Sequence, residues 1–220
     1  MAFCLKNKIE AVIFDLDGTL IDTSEGLLNS VEETVVHFGY ALSNNEDLMS
    51  FMGGSIYDSF HKFFPETDSS LMVSYFRKRY SDVHFEEAHP YDNLGYVLKQ
   101  LHDKGLKIGV ATFKREDLAR RLLTSYPFGN YFNVVCGSDF DGLLTKTNII
   151  ENCLNALYVL DKHDAIMVGD ALNDAIASNR AGIPFVGVTY GYGFKSSEDF
   201  VNIPNIGFIN NIMDLLNFIK

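Results

Sequence analysis

An open, doubly wound α/β sheet interrupted by a helical insert is the fold this 220-residue sequence predicts, and three observations carry it. Short apolar runs rich in Val and Ile recur without polar alternation, as strands covered on both faces of a parallel sheet do. Between the later runs lie segments of helical length and period, and strand, helix, strand in succession makes parallel crossover units. Roughly 90 residues separate the first run from the second, where a crossover needs only one helix, so something is inserted there.

Along the chain, the first strand run is AVIFDL at 11–16. Thr23 or Ser24 can then cap a helix whose apolar positions Leu27, Leu28, Val31, Val35 and Phe38 recur at three and four residues. Further helical segments fall at 45–51, 55–64 and 69–80. The insert is therefore expected to be a small helical domain over 21–88, bounded by Leu20–Asp22 and by the Ala88-His89-Pro90 connection, with 1–20 and 89–220 forming the α/β core. Residues 92–104 read as a helix leading into KIGVA (107–111), and NVVC (133–136), AIMV (165–168) and FVGV (185–188) continue the sheet. Helices over 116–126, 146–157 and 173–181 connect these runs, and a last one covers 212–219.

Composition narrows the function classes. A hydrophobic share of 47% suits a packed globule. The formal net charge of −11 opposes the phosphate-neutralising mode of binding nucleic acid or anionic membrane. Cys4, Cys136 and Cys153 are few and far apart, which suggests reduced thiols rather than a disulfide framework. No secretory pattern and no run of about 20 apolar residues is read, so a cytoplasmic protein is expected. The six histidines lack zinc-ligand spacing, and the aromatic residues lie at core-like positions without interleaved basic residues. Arg77, Lys78 and Arg79 read as a solvated helix face.

The chemistry concentrates in carboxylates. Asp15 and Asp17 end the first run in FDLDGTL, and residues two apart on a strand point the same way. The carboxyl edge of an open α/β sheet is where ligands bind. Gly18 and Thr19 let the chain turn sharply there. A second pair follows another run in AIMVGDALNDA, with Asp170 directly after the strand and Asp174 at the start of the next helix. Four carboxylates converging on one edge would be costly without a hard cation, and oxygen-only ligands suit magnesium. For Asp22, Asp141 and Asp161 the reading is helix capping or a turn. Thr112 ends the second run, where its hydroxyl and the following N–H groups can hold phosphate oxygens, and Lys146 opens a helix after the third.

In this order FDLDGT, Thr112, Lys146 and GDALND resemble the four motifs of the haloacid dehalogenase superfamily of hydrolases, over nearly the whole chain. The insert resembles that superfamily's type 1 cap on a Rossmann-like core, and SNRAGIPFVGVTYGYG looks most like phosphoglycolate phosphatases. The resemblance implies that Asp15 is the nucleophile and Asp17 the general acid and base. It implies magnesium held by Asp15, the Asp17 carbonyl, Asp170 and Asp174, with Thr112 and Lys146 orienting the phosphoryl group. Gly18, Thr19, Phe113 and, from the insert, Gly53 and Gly54 join Thr112 and Lys146 as expected substrate contacts. Gly-Gly serves a helix stop equally well. The expected partner is a small phosphorylated metabolite, bound by a monomer or homodimer.

Asp17 separates phosphatases and phosphomutases from dehalogenases, and Asp-Gly-Thr tilts toward phosphatases over sugar phosphomutases. Two positions depart from the pattern. Phe113 stands where Asn is usual, and Thr147 where Pro is usual. Thr147 forgoes a fixed φ in the helix's first turn. A phosphate-binding pseudo-enzyme is the alternative that these departures leave open.

Overall fold

The computed structural model describes residues 8–52, 55–139 and 144–219. In chain order its elements are β1 (Ala11–Phe14), α1 (Ser24–His37), α2 (Asn45–Met49), α3 (Ile56–Phe63), α4 (Ser69–Arg79), α5 (Leu94–Asp103), β2 (Lys107–Arg115), α6 (Glu116–Thr124), β3 (Val134–Ser138), α7 (Lys146–Ala156), β4 (Ala165–Gly169), α8 (Leu172–Ala181), β5 (Phe185–Val188) and β6 (Gly207–Ile209). They fall into two compact units, one through Ile21 and from Pro90 onward, the other Asp22–His89.

The first unit is built on a six-stranded sheet in the order β3-β2-β1-β4-β5-β6. Every adjacent pair is parallel. All four residues of β1 and of β5 are buried, as are all five of β4. That double-sided burial is why these runs carry no polar alternation. The order reverses between β1 and β4, and at such a switch point an open sheet leaves a crevice beyond its strand ends. Register sets Ala11–Phe14 against Ala165–Val168 on one side and Lys107–Val110 on the other. The residues just past Phe14, Val110 and Val168 therefore share one edge.

Three differences from the sequence reading have physical causes. The β2 strand runs to Arg115, past the apolar segment, with a register irregularity between Ala111 and Arg115. Polar residues are tolerated there because the strand has left the core for the edge. The three-residue edge strand β6 is too short to announce itself by periodicity. Residues Ile212–Phe218 form a 3₁₀ rather than an α-helix.

In the second unit, Asp22 rather than Thr23 caps α1. Asp22 Oδ1 accepts from the Ser24 amide at 3.0 Å and the Ser24 hydroxyl at 2.6 Å, whereas Thr23 makes no side-chain cap bond. Asp161 likewise caps a turn through the His163 amide, at 2.9 Å. Asp141, Gly53 and Gly54 lie outside the described residues. The unit's core is apolar and largely aromatic, with Val31, Phe51, Phe60 and Met72 fully buried; each such side chain contributes roughly 1.5–3 kcal/mol. After α4 the chain widens into a π-helical turn at Tyr80–His84. Both nitrogens of His84 face carboxylates: Nε2 lies 3.2 Å from Glu33 and Nδ1 3.0 Å from Glu87. Burial disfavours the His84 charge, but its bonds to Glu87 and Glu33 win and raise its pKa. Arg79 also pairs with Glu33, at 2.5 Å, while Arg77 and Lys78 are exposed. Among the described residues, no helix is long and apolar enough to cross a membrane.

Gly26 of α1 lies directly against the His84 carbonyl, which a Cβ would meet at 2.2 Å. The obstacle is backbone and cannot swing aside. Gly26→Ala is therefore expected to destabilise this unit by about 1–3 kcal/mol, as overpacking does, despite the better helix propensity of Ala. A thermal melt showing an unchanged or raised midpoint would contradict that packing.

Candidate active site

The edge beyond β1, β2 and β4 gathers most of the residues singled out from the sequence. Asp15 follows β1 directly, and its amide donates to the Val168 carbonyl at 2.9 Å, so the sheet's own ladder fixes its backbone. Asp170 follows β4, and Asp174 sits in the first turn of α8. Carboxylate oxygens of Asp15, Asp170 and Asp174 lie within 4.8 Å of one another, and all three residues are buried.

Lys146 reaches this group from the first position of α7. Its Nζ lies 2.6 Å from Asp15 Oδ1 and 2.8 Å from Asp174 Oδ1. The helix start that delivers it is held by a capping box. Thr145 Oγ1 accepts from the Asn148 amide at 3.2 Å, and Asn148 Oδ1 accepts from the Thr145 amide at 3.1 Å. This cap supplies the preorganisation that Thr147 forgoes in place of Pro. Asp174 is anchored in turn, since its Oδ2 accepts from the Ala171 amide at 3.1 Å.

Asp170 is held by backbone. Its Oδ2 accepts from the Tyr192 amide at 2.6 Å and the Gly193 amide at 3.1 Å. This gives the Tyr190-Gly191-Tyr192-Gly193 segment, to which the sequence assigned no role, a positioning task. Two glycines permit the approach: a Cβ on Gly191 would meet the Gly18 carbonyl at 2.2 Å, and one on Gly18, at φ +80°, would meet Asp170 Oδ2 at 2.5 Å. The Tyr190 hydroxyl donates to the Thr19 carbonyl at 3.0 Å. Thr19 itself is fully buried, and its hydroxyl has no hydrogen-bond partner among the described residues.

Of the four carboxylates expected at this edge, those of Asp15, Asp170 and Asp174 form the tightest group. Asp17 lies three residues past the end of β1 at Phe14, and it remains close enough to Asp15 to push the Asp15 pKa up. The Asp17 carboxylate pairs with Lys114, whose Nζ lies 2.7 Å from Oδ1. Lys114 was missed from the sequence. The signal was available: it stands two residues past Thr112 on a strand, in a position that invites a surface reading only if the strand is taken to end at 111. Its amide donates to Thr112 Oγ1 at 3.1 Å. Phe113, between them, is 51% exposed, and its ring centroid lies 5.5 Å from Lys146 Nζ, within reach of a cation–π contact.

Burial dominates the electrostatics. It pushes Asp15 up to about 7, opposed by Lys146 and reinforced by Asp174 and Asp17. It pushes Asp170 up to about 6, with Asp15 adding repulsion and the Gly193 and Tyr192 amides opposing. Asp174 is raised for the same first reason. Burial also disfavours the Lys146 ammonium, yet Asp15 and Asp174 together hold its pKa above the ordinary value. With all three carboxylates ionised, one ammonium leaves two formal negative charges, and the donors are all oxygen. That set fits one hard divalent cation.

Residues 12–188 match the model of the haloacid dehalogenase-like hydrolase family. A 5'-nucleotidase of Pseudomonas aeruginosa is 30% identical, covering 86% of this chain and 85% of its own. Pyrophosphatase PpaX of Halalkalibacterium halodurans is 30% identical and covers 88% of each chain. Among solved structures, a Clostridium acetobutylicum protein described as a predicted phosphatase superposes with a TM-score of 0.87 at 30% identity, over 97% of this chain and 99% of that one.

Raised carboxyl pKa values mean that the metal-free site binds more protons than the unfolded chain between about pH 4 and 7. Its contribution to stability therefore falls as pH rises through that window. A divalent cation must displace those protons, so its affinity is expected to drop as pH falls from 8 to 5.5. Calorimetry in buffers of different ionisation enthalpy should show proton release near pH 6. Cation affinity independent of pH over that range would contradict this electrostatic account.

Proposed function

The chain belongs to the haloacid dehalogenase-like hydrolase family, and from that premise we propose that it is a magnesium-dependent phosphatase of small phosphorylated metabolites, phosphomonoesters of the phosphoglycolate type. The observation that carries this reading is the Asp15 carboxylate, fixed at a strand end beside the Lys146 ammonium at 2.6 Å and two further buried carboxylates.

Asp15 is the nucleophile. One of its carboxylate oxygens attacks phosphorus, the new O–P bond forms as the ester O–P bond breaks, and an aspartyl-phosphate results. Asp17 gives its proton to the departing oxygen. It then takes a proton from the water that attacks the aspartyl-phosphate, releasing inorganic phosphate and restoring both side chains. Lys146 neutralises the charge that builds on the transferring oxygens without leaving its place between Asp15 and Asp174. Thr112 orients a phosphoryl oxygen through its hydroxyl proton, since its oxygen already accepts from the Lys114 amide.

Asp15, Asp170, Asp174 and the Asp17 backbone carbonyl would hold magnesium, which when bound supplies positive charge to the phosphoryl oxygens. Residues Asp22–His89 we assign as the cap, the segment from which leaving-group specificity is drawn. The relatives named 5'-nucleotidase and pyrophosphatase carry names for different substrates, so the leaving group is what the cap must decide.

Phosphate release from 2-phosphoglycolate, hexose phosphates, nucleotides and pyrophosphate, with magnesium and then with EDTA, tests the proposal. Metal-dependent release from at least one is expected. Asp15→Asn should cut turnover by about 1,000-fold or more while keeping the fold, and Asp17→Asn should slow both half-reactions. A fully active Asp15→Asn protein would refute the nucleophile assignment, and no release from any compound would favour a mutase or a phosphate-binding protein.

A further inference from the structure

We propose that Cys136 and Cys153 are a modification site, a thiol pair that hydrogen peroxide closes reversibly into a disulfide, and that closing it displaces Lys146 and slows phosphoryl transfer. Only this last consequence rests on the phosphatase reading.

The sheet brings the two thiols together. Register pairs Gly109 with Val134 and Ala111 with Cys136, so Cys136 faces the same side of the sheet as Val134. A Cβ on Gly109 would meet Cys153 Sγ at 2.5 Å and Val134 Cγ1 at 3.6 Å. The Cys153 sulfur, carried by α7, thus fills the space of a missing side chain on that same face. Both cysteines are free, and both belong to one apolar cluster with Ala111, Ile149 and Leu157. A hydrogen bond joins the two side chains.

Their roles differ. Cys136 is 9% exposed and Cys153 0%, so a small oxidant meets Cys136 first. The bond from the Cys153 thiol favours the Cys136 thiolate and, with Arg120, outweighs burial and Glu116 to lower its pKa; the same bond, together with burial, raises that of Cys153. Thiolate character and access mark the cysteine that reacts. The Cys136 sulfur attacks a peroxide oxygen and the O–O bond breaks. The departing hydroxide takes the proton the thiol had released, which leaves a sulfenic acid and water. The Cys153 sulfur then attacks the Cys136 sulfur, the S–O bond breaks, and hydroxide leaves with the Cys153 proton as a second water. Two electrons have passed from the sulfurs to the peroxide, and a thiol reductant returns them by exchange.

Helix α7 carries the effect to the site. Lys146 opens it about two turns before Cys153, on the same buried face as Ile149 and Ile150. A disulfide, at about 2.0 Å, is shorter than any contact between separate thiols, so forming it draws α7 toward β3. The Lys146 ammonium, 2.6 Å from Asp15 and 2.8 Å from Asp174, moves with the helix, and misplacing such a group by about 1 Å costs on the order of 100-fold in rate.

The test treats the reduced protein with hydrogen peroxide, alkylates the remaining thiols and maps disulfides by mass spectrometry without reductant. Peptides joined through Cys136 and Cys153 are expected, with Cys4 alkylated. Phosphate release with magnesium should fall by about 10- to 100-fold and return on adding dithiothreitol. Cys153→Ala should keep the reduced rate, lose the sensitivity to peroxide and let dimedone trap the Cys136 sulfenic acid; Cys136→Ala should lose both the sensitivity and the trapping. Cys136 and Cys153 that both stay open to alkylation after peroxide, or a bond that joins Cys4 instead, would overturn the inference. A Cys136–Cys153 bond that leaves the rate unchanged overturns the coupling to Lys146. A reduced protein that releases no phosphate from any compound fails the phosphatase reading, and the mapped bond still decides the modification site.

Discussion

One buried ammonium holds the site together. Lys146 lies 2.6 Å from Asp15 and 2.8 Å from Asp174, and it is the counter-charge to a group of three buried carboxylates. Removing one partner of such a buried network typically costs about 3–5 kcal/mol, because the remaining charge is left uncompensated. The capping box at Thr145 and Asn148, the first-turn position of Asp174 and the parallel register of β1 and β4 all bring these three side chains to one place. With all three carboxylates ionised the arrangement carries two excess formal negative charges, a set that suits a hard divalent cation.

Around this ion network the backbone does the finer positioning. Asp170 is held by two amides of the segment after β5. That contact needs the chain at Gly191 to pass within van der Waals reach of Gly18. A fixed carboxylate has less conformational freedom to lose when a cation binds, so glycine at these two positions serves the site although it contributes no functional group. The Asp22–His89 unit is stabilised by different means. Its core is aromatic, and its main polar lock is His84 between Glu33 and Glu87, beside a π-helical turn whose widened backbone leaves room only for glycine on α1.

Much of the architecture was legible because it rests on local pattern. The doubly apolar runs marked β1, β3, β4 and β5 to within two residues, and the helical periods located α1 through α8. Asp15, Asp170, Asp174 and Lys146 were legible as candidates because each stands at a strand or helix end, where side chains can leave the core. The errors fell where local pattern and tertiary context part. Alternation holds only while a strand remains a strand, so the Asp17 pairing with Lys114, past the end of β1, was not legible from it. An apolar run ending at Ala111 hid the polar extension of β2 and with it Lys114.

By itself, then, the sequence determined the fold class, the order of its elements and the residue types available for chemistry, since these depend on periods of two and 3.6 residues and on turn-forming side chains. Only the tertiary structure decided which of those residues meet. Lys146 reaches Asp15 across 131 positions of chain, and Lys114 reaches Asp17 across 97. Such pairings follow from strand order and register, and a pattern that repeats every few residues carries no information about either.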